Sequence, residues 1–390
     1  MSNISLAKQK SEVSEVSAIS ECVNSSLEPE ILEKYKNRTL INSRYVFEKK
    51  IGSGSFGSVY RGINIISGDR VAIKFEATTT KIPTLLWESK ILNHLAGIPG
   101  VVKLRYFGSE SNKNIIVMDL FSHTLYEEIN KLKADNSTIE EQMQLYSENG
   151  NETPSIENTS IKDGSNEFEK KNIEYSENSS PSSYRCSDIN KEFQDNIAKQ
   201  IPSYTKDVTQ YLISMIQIIK RVHDAGVVHR DIKPENFMLS LHSSEQKSSD
   251  DEKTLHIIDF GLSRFYMKGD KHVINTYDKS IVGTMRYISK HIHEGNVYSR
   301  RDDIISIMYV VIYLLKGNLP WTGLLPKKGD IRTKEELVYD KKINTTSDEL
   351  CEGLPTLFKK ILDYAYSLEF EDKPDYSYMI RQCKMLLKIF

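Results

Sequence analysis

Cysteine is scarce in this sequence, which has four such residues among 390: Cys22, Cys186, Cys351 and Cys383. They lie far apart and form no Cys-x-x-Cys pair, which argues against a disulfide framework and against a zinc site. This usage is typical of a reducing compartment. We therefore expect a cytoplasmic location, a nuclear location or both, because no strong basic targeting run separates the two.

Long apolar runs are also missing. The longest run, Ile304 to Leu315, is shorter than the roughly 20 residues that a membrane-spanning helix needs, so it predicts a buried core helix. Residues 1–11 lack the apolar segment of a signal peptide. The formal net charge is −2, which gives no bulk basic field for nucleic acid or a membrane surface. We predict no nucleic acid and no membrane among the partners, and we expect a monomer.

Large apolar residues are sparse in two segments. Residues 1–43 mix Ser, Glu and Lys, and they predict a flexible N-terminal arm. Residues from about 134 to 200 are rich in Asn, Ser and acidic side chains, and they predict a disordered acidic insertion. Such a segment cannot bury enough surface to offset the entropy of ordering. Two interpretations stay open for the insertion: a site of phosphorylation or docking, and a neutral loop of variable length.

A glycine-rich loop lies between two short alternating segments that predict antiparallel strands. Glycines allow backbone N–H groups to approach phosphates closely. A dinucleotide-binding fingerprint uses the same letters but needs a helix directly afterwards, whereas a strand follows here. The alternative is a plain glycine-rich hairpin. The loop, with the residue before it, reads Ile51-Gly52-Ser53-Gly54-Ser55-Phe56-Gly57-Ser58-Val59.

A lysine and a glutamate form the next candidate pair. Lys74 ends a Val-Ala-Ile-Lys run on the next predicted strand, and Glu88 lies in a segment with helical apolar spacing. A lysine on a half-buried sheet face needs an anionic partner. We expect this pair to place Lys74 on the α and β phosphates of ATP, with two unrelated surface charges as the alternative.

The most informative run is Val-His-Arg-Asp-Ile-Lys-Pro-Glu-Asn at 228–236. Phosphoryl transfer to a hydroxyl needs a proton acceptor, a cation near the moving charge and an oxygen ligand for a hard metal. Asp231, Lys233 and Asn236 supply these groups in turn. Asp259 follows an apolar strand in an Asp-Phe-Gly turn, where a carboxylate can ligate Mg²⁺ that bridges the ATP β and γ phosphates.

These runs together are typical of protein kinases. The usual Ala-Pro-Glu after the activation segment is missing, and Gly-Thr-Met-Arg-Tyr-Ile-Ser-Lys-His stands at 283–291. Ser-Arg-Arg-Asp-Asp, Leu-Pro-Trp-Thr-Gly-Leu and Asp-Lys-Pro-Asp-Tyr-Ser-Tyr follow in that order. Apart from the insertion, residues 45–390 resemble the casein kinase 1 family of Ser/Thr protein kinases. The vaccinia-related and tau-tubulin kinases are its nearest neighbours.

The resemblance implies a bilobal protein kinase fold of the α+β class for residues 44–390. The N-lobe, 44–118, would hold a small antiparallel β-sheet with one main helix, and the larger C-lobe, 119–390, would be mostly α-helical. The resemblance also implies ATP and Mg²⁺ as cofactors, Asp231 as the base, and Asp303 holding the catalytic loop from below. It further implies that backbone groups of Leu120 and Phe121, after a strand that lines the adenine pocket, lie near the base of ATP. His229 would pack and form hydrogen bonds rather than act as a base.

The same resemblance implies protein substrates that are acidic or already phosphorylated upstream of the target Ser or Thr. A basic pocket would read that charge, and a guanidinium with neighbouring ammonium groups suits a phosphate dianion. Two departures bear on pocket geometry: Ser-Lys-His at 289–291 replaces the family's Ser-Ile-Asn, and Thr322 replaces a usual glutamine. The matching pocket residues here are Arg230, Lys279, Arg286 and Lys334.

Two alternative functions remain. A pseudokinase-like binding scaffold would usually have lost Lys74, Asp231 or Asp259, and all three are present. A small-molecule kinase of similar fold is disfavoured by the motifs around Arg286 and Asp303.

Overall fold

An antiparallel sheet forms the first part of the fold, with its strands in the order β1-β2-β3-β5-β4. The alternation along β3 places Ala72 and Lys74 on the face toward the helices, and Val71 and Ile73 on the opposite face. Apolar residues of β5 cover both faces in the same way. The strands are β1 (Tyr45–Gly54), β2 (Gly57–Asn64), β3 (Arg70–Ala77), β4 (Leu104–Glu110) and β5 (Lys113–Asp119).

The computed structural model describes residues 41–54, 57–81, 83–148, 202–240, 254–277 and 281–390. Most of the N-terminal arm predicted at 1–43 lies outside these ranges. So do Ser55 and Phe56 of the glycine loop, Lys279 of the predicted phosphate pocket, and residues 149–201 of the predicted insertion.

The strand β4 was not predicted. Its sequence, Leu-Arg-Tyr-Phe-Gly-Ser-Glu, mixes charged and apolar residues, and none of its side chains is fully buried. It pairs with β5 at the edge of the sheet. The pairing partner, rather than its own apolar pattern, therefore determines this strand.

The helix α1 (Thr84–His94) follows the sheet, as its apolar spacing predicts. Its N-terminus is fixed to β3 by the carboxylate of Glu76, which accepts hydrogen bonds from Thr84 N at 2.8 Å and Thr84 Oγ1 at 2.7 Å. A carboxylate at a helix N-terminus also interacts favourably with the helix dipole. This contact orients α1 so that Glu88, one turn along, faces β3.

The larger second part is mostly helical. Short pieces lie between its helices: a 3₁₀ turn (Pro234–Asn236) and the strands β6 (Val227–Val228), β7 (Phe237–Leu239), β8 (Leu255–Ile257), β9 (Arg264–Phe265), β10 (Met267–Lys268) and β11 (Lys271–His272). The prediction of an α+β fold, with a small antiparallel sheet and a larger helical part, is confirmed. The helices are α2 (Leu125–Glu148), α3 (Tyr204–Asp224), α4 (Lys290–His293), α5 (Arg300–Lys316), α6 (Lys334–Ile343), α7 (Ser347–Leu350), α8 (Thr356–Ser367) and α9 (Tyr376–Leu387).

The start of the predicted insertion was wrong by several residues. We placed it at about 134, but α2 continues to Glu148. Residues 139–145 read Ile-Glu-Glu-Gln-Met-Gln-Leu, and most of these residue types have high intrinsic helix propensity. A low apolar content therefore did not prevent a helix, because propensity extends it beyond its packed first turns.

The core of the second part is built around α5, whose side chains from Arg301 to Ile312 are all buried. The prediction of a buried core helix for Ile304 to Leu315 is confirmed. A capping box begins the helix: Asp302 accepts a hydrogen bond from Ser299 N, and Ser299 interacts in return with the N–H of Asp302. Gly317, with φ of 79°, ends it. In the described part of the chain, no helix has the length and apolar character needed to cross a membrane.

Gly57 gives a direct test of the hairpin between β1 and β2. Its φ is +130°, and an added Cβ would lie 1.9 Å from the carbonyl oxygen of Phe75 on β3. We expect Gly57→Ala to push β2 away from β3 and to accelerate amide hydrogen exchange in residues 57–64. Gly52→Ala is the matched control, because the nearest atom to its Cβ would be 3.9 Å away. Equal exchange in the two variants would contradict this account.

Candidate active site

A cluster of three charges joins the sheet, α1 and the Asp-Phe-Gly turn. Lys74 Nζ donates to Glu88 Oε2 at 2.9 Å and to Asp259 Oδ1 at 3.0 Å. Lys74 is 7% exposed and Glu88 is fully buried. The pair expected from the sequence is therefore present, and Asp259 joins it as a second acceptor.

Lys74 and Asp259 hold each other ionised, whereas burial raises the pKa of Glu88 above its ordinary value. Burial alone would lower the pKa of Lys74, but the carboxylates of Glu88 and Asp259 outweigh it and raise that pKa above its ordinary value. Burial would raise the pKa of Asp259, but the Lys74 ammonium outweighs it and keeps that pKa below its ordinary value. The Asp259 carboxylate thus stays charged near neutral pH. The backbone φ of Asp259 is +63°, a value that is uncommon for a residue with a side chain.

Trp87, the residue before Glu88, fixes α1 to the residues that follow the Asp-Phe-Gly turn. Trp87 Nε1 donates to Ser263 O at 2.6 Å, and the Arg264 guanidinium lies 4.9 Å from the centre of the Trp87 rings. Phe265 packs edge-on against the same rings. The position of Glu88 is therefore linked to the segment that follows Asp259.

Asp231 lies in the loop predicted to be catalytic, and three neighbouring side chains hold it in place. Lys233 Nζ donates to its Oδ2 at 2.6 Å, and Thr284 Oγ1 donates to its Oδ1 at 2.7 Å. Asn236 Nδ2 donates to the Asp231 carbonyl oxygen at 2.8 Å and lies 3.3 Å from Oδ2. Thr284 was not predicted as a site residue, although its place directly after Gly283 in the segment that replaces Ala-Pro-Glu was a usable signal. These contacts fix the carboxylate in one orientation.

His229 acts as a structural link in this loop. Its Nδ1 accepts from Asp231 N at 3.3 Å, so its Nε2 is the nitrogen that donates to Ile258 O at 3.0 Å. The ring also packs edge-on against Phe260 of the Asp-Phe-Gly turn. His229 therefore ties the two loops together with both ring nitrogens engaged.

Asp303 supports the same loop from α5. Its carboxylate accepts from His229 N at 2.7 Å and from Arg230 N at 2.9 Å, and His223 Nε2 lies 3.0 Å away. Arg230 has a φ of +72°, so two consecutive N–H groups converge on one carboxylate. The neighbour Asp302 is equally buried and accepts fewer donors.

The two buried aspartates have opposite pKa shifts. Burial would raise the pKa of Asp303, but the hydrogen bond and charge of His223 and the bond from His229 N outweigh it and lower that pKa. Burial raises the pKa of Asp302 to about 6, and repulsion from Asp303 adds to this. Asp303 is therefore the ionised partner of the loop.

A cavity of about 700 Å³ opens between the sheet and the second part of the fold. That volume is within the range of small-molecule sites. Gly52, Ser53, Gly54 and Ser58 lie in the adjoining β1–β2 hairpin. The predicted residues that line the cavity are Ile51, Gly57, Val59, Lys74, Glu88, Leu120, Phe121 and Asp259.

Several lining residues were not predicted. Ala72 and Met238 could have been found, because each stands two residues from a predicted site residue, Lys74 or Asn236. The polar residues Ser122, His123, Thr124 and Glu127 also line the cavity and carried no motif.

The donors available for Mg²⁺ are Asp259 and Asn236. Asn236 uses its Nδ2 for the bond to Asp231 O, so its amide oxygen is the atom suited to a metal. Within the ranges that the structure describes, no group of three or more His, Cys, Asp or Glu could hold a metal alone. Mg²⁺ commonly takes one or two protein ligands and completes its shell with phosphate oxygens and water. The residues present fit such a shared site.

The predicted phosphate-pocket residues lie in separate surroundings. The Arg230 guanidinium is 5.0 Å from the centre of the Tyr298 ring, and that of Arg286 is 4.9 Å from the Tyr313 ring. Lys334 is the first residue of α6. Arg230 and Arg286 thus pack against different rings, and Lys334 lies at the start of a separate helix.

A sequence model of the protein kinase domain matches residues 45–149 and 178–373, well over half of the chain. The chain belongs to the protein kinase family. The general activity of that family is phosphoryl transfer, and its domains generally use ATP and Mg²⁺. The internal gap in this match, residues 150–177, falls inside the predicted insertion.

Asp303→Asn tests the support beneath the kinase catalytic loop. An amide can accept from one N–H but would point its own NH₂ at the other, so we expect a loss of about 3–5 kcal/mol in the free energy of unfolding. Urea unfolding at pH 7 measures this. Asp348→Asn, on an exposed side chain that pairs with Lys359, is the control and should change stability little.

The loss of stability in Asp303→Asn should also depend on pH. A carboxyl whose pKa is lowered by folding contributes stability above its ordinary pKa of 3.8. That contribution is lost as the pH falls through the lower pKa of the folded state. Above pH 3.8 the stability gap between the wild type and Asp303→Asn also includes the change in the titration of neighbouring Asp302, whose pKa is about 6. Below pH 3.8 the gap should shrink, and a gap that does not shrink there would contradict the assignment.

Proposed function

We propose that this protein kinase is an active Ser/Thr kinase of casein kinase 1 type. The observation that supports this best is the orientation of Asp231 by Lys233, Thr284 and Asn236, across from the ionised cluster of Lys74 and Asp259. A carboxylate fixed in this way can accept the proton of a hydroxyl group. The cluster can hold the charges of a triphosphate.

The proposed reaction transfers the γ phosphoryl group of ATP in line to a Ser or Thr hydroxyl. Asp231 accepts the hydroxyl proton, Lys233 lies 2.6 Å from that carboxylate and stabilises the charge on the moving group, and Lys74 holds the α and β phosphates. Mg²⁺ held by Asp259 and Asn236 would neutralise charge on the β and γ phosphates. A positioned base contributes a factor of about 10² to 10⁴ to the rate, and the remainder comes from electrostatic positioning.

The alternative is a pseudokinase-like scaffold that binds partners without catalysis. The intact Lys74 cluster and the engaged Asp231 favour catalysis, because a scaffold does not need either arrangement. A small-molecule kinase is the less favoured enzyme class, since the motifs around Arg286 and Asp303 resemble a protein-directed family.

The proposed substrates are proteins with an acidic or phosphorylated residue upstream of the target. We propose that Arg286 and Lys334 bind that charge. Arg230 and Lys279 are further candidates. The Arg286 guanidinium, held over Tyr313, presents a planar donor set that suits a phosphate.

We further propose that the protein acts as a monomer in the cytoplasm, the nucleus or both, and that nucleic acid and membranes are not among its partners.

Asp231→Asn tests the proposed base. The amide keeps the size of the side chain but cannot accept a proton, so we expect peptide phosphorylation from Mg-ATP to fall at least about 10³-fold. Thermal unfolding and ATP binding should change little. Asp348→Asn is the control for the charge change. Near wild-type turnover in Asp231→Asn would contradict the mechanism, and a folded, ATP-binding wild type without turnover would favour the scaffold.

Matched peptides test the proposed substrate class. One peptide carries a phosphoserine three residues upstream of the target, one carries an acidic residue there, and one is neutral. We expect the highest kcat/KM for the phosphorylated peptide, and we expect Arg286→Gln to reduce its advantage about tenfold, because a charge-assisted hydrogen bond contributes about 1.5–3 kcal/mol. Arg381→Gln, which alters a surface pair with Asp375 on α9, is the control. No gain from the upstream phosphate in the wild type would rule out this specificity.

A further inference from the structure

Residues 283–289, here called the substrate loop, connect the candidate catalytic residue to the core. Thr284 donates to Asp231 at one end, and Ser289 Oγ donates to buried Asp302 of α5 at the other. The usual Ala-Pro-Glu of protein kinases is missing next to this loop. Its shape between the two ends must therefore be held by other contacts.

Backbone carbonyl groups of the substrate loop are bound by two side chains from distant elements. Lys342 Nζ, on α6, donates to Met285 O at 2.8 Å and to Ile288 O at 2.6 Å. Trp321 Nε1 donates to Arg286 O at 2.8 Å. Together these three bonds engage the carbonyl groups of Met285, Arg286 and Ile288.

The surroundings of Lys342 identify it as a built contact. The residue is 4% exposed, and its Nζ lies 5.4 Å from the centre of the Tyr309 ring and 5.2 Å from that of Trp321. Burial lowers the pKa of Lys342 well below its ordinary value, because a buried ammonium is costly unless carbonyl oxygens or aromatic faces replace its water. Here two carbonyl groups and two rings do so, and both carbonyl groups belong to the substrate loop.

We propose that Lys342 is a positioning residue for the protein substrate. It sets the path of the substrate loop on both sides of Arg286, and through that path it directs the Arg286 side chain toward the substrate. Because Lys342 and Lys334 lie on the same helix, it also fixes α6 relative to Arg286. This inference rests on the proposed function and adds a residue that does not touch ATP or the reacting atoms.

The main test compares Lys342→Met with Lys342→Arg. Methionine keeps most of the length and an apolar contact with the rings, but it has no charge and cannot donate. The KM for a peptide substrate should therefore rise about tenfold, as expected for two lost hydrogen bonds. The KM for ATP and the slow hydrolysis of ATP by water should stay near wild type. Arginine can donate to both carbonyl groups, so it should recover part of the peptide KM. Lys341→Met, on the exposed neighbour, is the matched control.

A second readout separates this inference from the proposed function. Amide hydrogen exchange in residues 283–289 should be faster in Lys342→Met than in the wild type, even if the wild type transfers no phosphate. Trp321→Phe, which keeps a ring and removes one donor, should change exchange and peptide KM in the same direction by a smaller amount. If Lys342→Met fails to fold, Lys342→Arg and Trp321→Phe carry the test.

Two outcomes would overturn the inference. One is an unchanged peptide KM together with unchanged exchange in the substrate loop. The other is an equal loss in the KM for ATP, in ATP hydrolysis and in peptide phosphorylation, which would show a general structural role. If the wild type transfers no phosphoryl group but exchange in the substrate loop is still faster in Lys342→Met, the proposed function is rejected. The role of Lys342 in holding the loop is then kept.

Discussion

The carboxylate of Asp303 is the contact on which the rest of the site depends. It accepts hydrogen bonds from two consecutive N–H groups, and this holds Arg230 in a left-handed backbone conformation that it would rarely adopt alone. The next residue in the chain is Asp231. Because Asp303 belongs to the buried core helix α5, the core itself determines where the candidate base points.

Each part of the candidate site is tied to more than one element. Lys74 joins the sheet, α1 and the Asp-Phe-Gly turn, whereas His229 joins that turn to the loop that holds Asp231. A local rearrangement in one element therefore changes the others. Low-dielectric surroundings increase the strength of such charge contacts, provided that every buried group keeps its partner. The same dependence explains why so many polar groups can be buried in one place.

The sequence predicted those features that depend on nearby residues or on a fixed spacing. The glycine loop, the Lys74–Glu88 pair and the buried helix from Ile304 belong to this class, because period and residue type identify them. Strand β4 and the extension of α2 to Glu148 were missed, since a pairing partner and helix propensity decided them rather than apolar content. Lys342 could not have been found in this way. Its bonds span 54 and 57 residues of sequence and end on backbone oxygens, which have no sequence signature.

The chain has two tryptophans, and their indole N–H groups bind opposite ends of the same segment. Trp87 donates to Ser263, just after the Asp-Phe-Gly turn, and Trp321 donates to Arg286 in the substrate loop. Indole emission depends on hydrogen bonding and on nearby charges, and each ring has a cation at about 5 Å. The protein therefore contains its own pair of optical probes. With one ring replaced by phenylalanine, the fluorescence of the other reports on one end of the segment without an added label.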